Sequence, residues 1–204
     1  MIRLYYSERT EQHADKAGEH SAGLELLRLA LEDSCGLALT SGELTEMTVL
    51  GTRGKPSLRG RDDIHFNISH SGGVTVCAVA DVPIGADVEV RRGRDISDAL
   101  KRRVLTDEEI ALTGRTDGGT DEFTFLRFWT LKEAYLKWKG CGLAEDMRDV
   151  SFRPGGSAGE GSFVYAWCSD KDVSAVQRIH GGSSVISLVL EKPDRPEEIS
   201  FIRY

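Results

Sequence analysis

Apolar and polar positions alternate at two periods along this chain, and the switches between them divide it into elements. A two-residue period marks half-buried strands, and a 3.6-residue period marks helices. Ile2 to Tyr6 reads as a short strand. After a polar segment, Leu24, Leu27 and Leu31 fall on one stripe of a helix from about His20 to Cys35, with Gly36 suited to its C-terminal cap. Glu46 to Leu50 is predicted as a strand entering the turn-rich stretch GTRGKPSLRGRDD. Three strands follow closely, Ile64 to Ile68, Val74 to Ala80 and Ile84 to Val90, separated by SHSGG and DVP. Turns this short favour antiparallel neighbours.

The second half opens on a helical region from about Ile96 to Leu112, divided near Thr106, where TDEE offers a fresh N-cap and an acidic first turn. A glycine-rich loop, GRTDGGTDE, separates it from a long helix over Phe123 to Lys139. Strand patterns then recur at Val150 to Arg153, Phe163 to Cys168, Val173 to Ile179, Ser184 to Leu190 and Ile199 to Arg203. Both halves share a plan of helix plus antiparallel strands without any sequence repeat. The order predicts an α+β protein of two similar lobes, residues 1–83 and 84–204.

Composition narrows the class. Of 204 residues, 40% are hydrophobic and 29% charged, and no apolar run approaches the roughly 20 residues that span a bilayer. The start, MIRLYYSERTEQH, lacks the features of a secretory signal, so a cytoplasmic protein with no membrane partner is expected. Cys35, Cys77, Cys141 and Cys168 are scattered without a CxxC pair and read as free thiols. A net charge of −7 has the wrong sign for coating nucleic acid, and no such partner is expected. Cations nevertheless gather at Arg53, Lys55, Arg59 and Arg61, at Arg91, Arg92 and Arg94, and at Lys132, Lys137 and Lys139. A small, highly phosphorylated ligand is compatible with such patches.

Two stretches carry the candidate chemistry. In IGADVEV, Asp87 and Glu89 lie two apart on a strand and present oxygen ligands to one face, while Ala86, Val88 and Val90 pack behind. In FWTLKEAYLKWKG, Trp129, Glu133 and Lys137 lie four apart on one helix face, and Phe128, Leu131, Tyr135 and Trp138 form a core stripe. Three carboxylates and a lysine so placed suit a divalent metal and a pyrophosphate between them; solvated faces with a Glu133–Lys137 pair are the plainer account. HFNISHS points Asn67, Ser69 and Ser71 one way and His70 the other unless the chain turns at SHSGG. Its hydroxyls and imidazole suit phosphate oxygens better than a Ser/His nucleophile pair. GKP, Gly54 to Pro56, is either a plain turn or a stiffened loop offering Lys55 as a point charge. His13, His65 and His180 show no metal spacing and default to solvated or core positions.

Taken in order, GKP, FNISHS, IGADVE and FWTLKEAYLKWKGCGL resemble the successive motifs of the 4′-phosphopantetheinyl transferases, specifically the Sfp-type single-chain branch. That resemblance implies a pseudodimer of two α+β lobes with the site in the cleft between them. It implies transfer of the phosphopantetheine arm of coenzyme A to a serine of an apo acyl or peptidyl carrier protein, with release of adenosine 3′,5′-bisphosphate. By the same resemblance Asp87, Glu89 and Glu133 bind Mg²⁺, Lys55, Ser69 and His70 contact the nucleotide and its phosphates, and Lys137 faces the pyrophosphate. Lys16 and His20 match basic residues that precede the first helix and approach the 3′-phosphate. Glu133 matches the proposed base, with Glu109 as a helper. Carrier docking is expected near Lys139, Cys141, Gly142, Leu143 and Met147, and a monomer is expected. The alternatives are a metal-dependent nuclease and a non-catalytic carrier-binding module.

Overall fold

The computed structural model of the chain describes residues 1–8, 16–113, 121–142, 145–156, 162–192 and 199–204, apart from the side chains of Lys16, Ala17 and Asp121. Strand β1 (Ile2–Glu8) precedes helix α1 (Lys16–Cys35), α2 (Ser41–Met47) and the small hairpin of β2 (Thr48–Leu50) and β3 (Pro56–Leu58). A second hairpin follows, β4 (His65–Ser71) and β5 (Val74–Ala80), and β5 pairs antiparallel with β1. The other lobe repeats this wiring. Strand β6 (Ile84–Val90) leads through α3 (Asp98–Val104), α4 (Asp107–Thr113) and α5 (Asp121–Lys139) to a 3₁₀ turn, Met147–Asp149, and the strands β7 (Phe152–Arg153) and β8 (Val164–Cys168). The hairpin of β9 (Val173–His180) and β10 (Ser184–Glu191) then returns, and β10 pairs antiparallel with β6.

Each lobe is thus a strand, a helical crossover and a hairpin whose second strand closes on the first, giving β1-β5-β4 in one sheet and β6-β10-β9 in the other. This is the α+β pseudodimer that the element order predicts. The final strand departs from the expected boundary. β11 (Ile199–Arg203) joins the first sheet, parallel to β1, and leaves the 84–204 lobe without it. Phe201 of β11 stacks on Tyr6 with ring centres 4.3 Å apart, and the Arg178 guanidinium of β9 lies 3.9 Å over the same ring. Side chains of both lobes therefore clamp the returning strand.

Other differences are local. α1 begins four residues before the expected His20, and α2 replaces the start of the strand predicted at Glu46. Its capping box pairs Thr40 Oγ1 with the Glu43 amide and Glu43 with the Thr40 amide, which holds the first turn in helix. β4 runs on to Ser71 and does not turn at SHS; the chain reverses only at Gly72 and Gly73, both at positive φ (55° and 83°) as a two-residue hairpin turn requires. Of the expected stripe of Phe128, Leu131, Tyr135 and Trp138, the first three are buried and Trp138 is partly buried against the same core. All four cysteines are free thiols. No helix among the described residues is long and apolar enough to cross a membrane.

Candidate active site at the joint between the lobes

β6 is the edge of the second sheet and lies against β4, the edge of the first. The two are laced by side chains in place of a backbone ladder. Asn67 Oδ1 accepts from the Ala86 amide (2.8 Å), Ser69 Oγ from Val88 (3.3 Å) and Ser71 Oγ from Val90 (3.4 Å). Strand alternation sets this spacing, because residues 67, 69 and 71 share a face of β4. The two hydroxyls also donate onward, Ser69 to Asp87 Oδ1 (2.8 Å) and Ser71 to Glu89 Oε2 (2.6 Å).

α5 crosses β6 at backbone contact distance. A Cβ on Gly85 would stand 2.0 Å from Ala134 O and 2.4 Å from the Trp138 amide nitrogen, so only glycine admits the helix there. The close approach carries Lys137 into the strand's polar face. Its ammonium donates to Asp87 Oδ1 (2.6 Å), Ser69 Oγ (2.9 Å) and Ala86 O (3.2 Å). These bonds use all three ammonium protons, and Ser69, which gives one proton and accepts two bonds, is saturated as well.

The site concentrates negative charge. Burial pushes the Asp87 carboxyl up, with Lys137 pulling the other way, and burial also raises Glu89 against the Ser71 hydrogen bond. Glu133 on α5 rises to about 7, first through burial and then through the charges of Asp87 and Glu89, with Lys137 opposing. The expected trio therefore lies within electrostatic reach of one another. As placed, no three His, Cys, Asp or Glu side chains among the described residues form a ready-made metal cage. Asp87 Oδ2 is buried and has no hydrogen-bond partner among the described residues. An orphaned carboxylate oxygen beside a second carboxylate fits Mg²⁺, which takes one or two protein carboxylates and completes its shell with water and substrate phosphate.

On the other face of β4, His70 Nδ1 lies 3.1 Å from Glu19 Oε2 of α1. Both border a cavity of about 460 Å³ together with His20, Gly54 and Pro56, over an apolar wall that includes Leu24, Leu27, Phe66 and Ile68. Sequence reasoning did not bring Glu19 to this cavity, since no spacing rule links positions 19 and 70. His20 sits inside α1 rather than ahead of it; Lys16 is the first residue of that helix, and its side chain is outside the described residues.

Residues 83–187 match the 4′-phosphopantetheinyl transferase superfamily, a span that holds both the acidic strand β6 and α5. The chain belongs to that superfamily. It is 38% identical over 100 residues to a 4′-phosphopantetheinyl transferase of Bacillus subtilis, an alignment covering 49% of this chain and 44% of that protein. Identity to HetI of Nostoc is 37% over 98 residues, 46% of this chain and 41% of the relative. To AcpT of Salmonella typhi it is 36% over 98 residues, 48% and 50%. The chain thus spans about half the length or less of these relatives. GKP and FNISHS lie outside the superfamily match.

Within the superfamily frame, three expected roles meet a different geometry. Lys55 turns away from the cavity that Gly54 and Pro56 line, and donates to Ile84 O (3.1 Å) and Trp138 O (2.8 Å). It ties the β2–β3 hairpin to the start of β6 and the last turn of α5, where a cation also suits the helix dipole. Lys55→Met is expected to lower the unfolding free energy in urea by about 1.5–3 kcal/mol, the range for hydrogen bonds to a charged group. Unchanged stability would return Lys55 to the role of a ligand contact.

Glu109 is the second. It is 2% exposed and lies in the core of the second lobe, 2.8 Å from the fully buried Lys132 ammonium. Its oxygens also accept from the Thr106 and Phe152 amides (2.8 Å each), and Lys132 donates further to Met147 O and Val150 O (2.8 Å each). Thr106-x-x-Glu109 is a capping box, and the carboxylate has no free direction toward a reacting proton. The expectation of a helper base is corrected to a structural one.

Third, the docking residues divide. Cys141 is buried, Lys139 pairs with Glu145 at 2.5 Å, and Leu143 lies outside the described residues. Met147 instead lines a groove of about 580 Å³ with Trp129, Leu100, the arginines at 102, 103 and 148, and the acids Glu145 and Asp146. Trp129 stands one helical turn from Glu133 on α5.

Proposed function

We propose that this chain transfers the 4′-phosphopantetheine arm of coenzyme A to a serine of an apo acyl or peptidyl carrier protein, releasing adenosine 3′,5′-bisphosphate. The observation that carries the reading is the convergence of Asp87, Glu89, Glu133 and Lys137 where β6 and α5 meet β4, with Asp87 Oδ2 left unpaired. Superfamily membership and transferase relatives supply the reaction class.

In this reading Asp87 and Glu89 hold Mg²⁺, with Glu133 facing them. When bound, the metal neutralises charge on the pyrophosphate and on the departing bisphosphate. Lys137, now on Asp87 Oδ1, shifts part of its hydrogen bonding to phosphate oxygens. Glu133, poised near neutral pH, accepts the proton that the carrier serine loses as its oxygen attacks the β-phosphorus. The imidazoles of His70 and His20 border the cavity assigned to the nucleotide end. The groove of Trp129, Met147 and three arginines supports docking of an acidic carrier. One chain supplies both lobes of the cleft, which supports action as a monomer, and four free thiols accord with a cytoplasmic setting.

Intact-mass analysis of several apo carriers incubated with the protein, coenzyme A and Mg²⁺ tests the reading. A gain of one phosphopantetheine on the carrier is expected, and only with metal present. Release of adenosine bisphosphate without carrier would identify a hydrolase, and carrier binding without any mass gain would identify a silent binding module.

A further inference from the structure

The three polar teeth of β4 do not do the same thing. Each accepts a hydrogen bond from an alternate amide of β6, Ala86, Val88 and Val90 in turn. The two serines also donate to the residue before that amide, Asp87 and Glu89. At Asn67 the residue before that amide is Gly85, which has no side chain, and the described hydrogen bond of Asn67 is the tie between strands. At Ser71 the hydroxyl accepts from Val90 and gives its only proton to Glu89 Oε2 at 2.6 Å, the shorter of the two serine–carboxylate contacts.

We propose that Ser71 is a positioning residue for Glu89, fixing the carboxylate rotamer so that its second oxygen faces the metal site. A glutamate side chain has three torsions, and a free one loses considerable rotamer entropy on being held. Asp87 is oriented by Lys137 as well as Ser69, whereas the described side-chain hydrogen bond on Glu89 comes from Ser71 alone. The hydroxyl is itself buried and locked by the Val90 amide, so the rotamer preference is set before any ligand arrives. Partners of this kind, one bond behind a metal ligand, typically change metal affinity 10- to 100-fold when removed.

This inference rests on the metal assignment above, and the test separates the two. Mg²⁺ binding is measured by calorimetry at saturating coenzyme A for the wild type, Ser71→Ala, Ser71→Thr and Asn67→Ala, beside thermal melts without metal. Ser71→Ala is expected to weaken Mg²⁺ binding about 10- to 100-fold, with Ser71→Thr restoring most of it. Asn67→Ala is expected to lower the melting temperature at least as much while leaving Mg²⁺ affinity near that of the wild type. Equal Mg²⁺ affinity in Ser71→Ala and wild type would overturn the positioning role and leave a strand tie. Equal weakening in Asn67→Ala and Ser71→Ala would overturn it too, assigning the effect to strand spacing. A wild type that binds no Mg²⁺ with coenzyme A would bring down the metal assignment itself.

Discussion

Glu109→Ala is expected to destabilise the fold by roughly 3–5 kcal/mol, because it leaves a fully buried lysine ammonium without its counter-charge. The loss has several parts. The Lys132 charge would be retained at high cost or given up by deprotonation, a direction burial already favours. The Thr106 and Phe152 amides would also lose their acceptor, unpinning α4 from β7. Urea unfolding with an unchanged m-value would measure the effect. The double variant Glu109→Leu/Lys132→Met removes both charges at similar volume and is expected to recover much of the stability, as buried pairs often do when replaced together. It should also retain transfer within a few-fold. A folded double variant without activity would instead restore Glu109 to the chemistry.

The same pair shows where sequence reading stops. TDEE announces a helix start, and the Thr-x-x-Glu spacing contains a capping box, but nothing local says that the carboxylate faces inward onto a lysine 23 positions later. Burial of a charge is a tertiary property. The short apolar runs of β5, β6 and β10, buried along nearly their whole length, were legible as strands because turn residues bound them, and α5 because of its length and the spacing of Phe128, Leu131 and Tyr135. Strand and helix periods put Asp87 with Glu89 and Glu133 with Lys137 on shared faces, and the resemblance supplied their metal and phosphate roles. β11 was legible as a strand, yet its partner was not, since parallel pairing with β1 joins the two ends of the chain. Helix α2 carried its own signal in Thr40-x-x-Glu43, which the reading of a strand from Glu46 left unused. Lys55 misled for a different reason: a lysine in a turn beside a cavity has a long reach, and its length took the charge to the end of α5.

Glu133→Gln is expected to retain Mg²⁺-dependent coenzyme A binding while losing about 100- to 10,000-fold in single-turnover transfer, the usual worth of a positioned acid–base group. The amide keeps the side chain's shape and one carbonyl oxygen, but it takes up no proton at neutral pH. The wild-type carboxyl stands at about 7 because it is half-buried and lies within reach of the Asp87 and Glu89 charges, and a cation held by those two carboxylates would favour the ionised form that accepts the serine proton. Asp87→Ala provides the contrast. It removes the orphaned Oδ2 and the main anchor of Lys137 together, and is expected to lose metal-dependent binding as well as transfer. Calorimetry of coenzyme A with and without Mg²⁺, set beside transfer to an apo carrier, reads the two quantities separately. If Glu133→Gln lost binding in proportion to rate, Glu133 would be a ligand only. Its charge would then serve the metal, and the serine proton would have to leave through solvent at the mouth of the site, since Glu109 is closed inside the core.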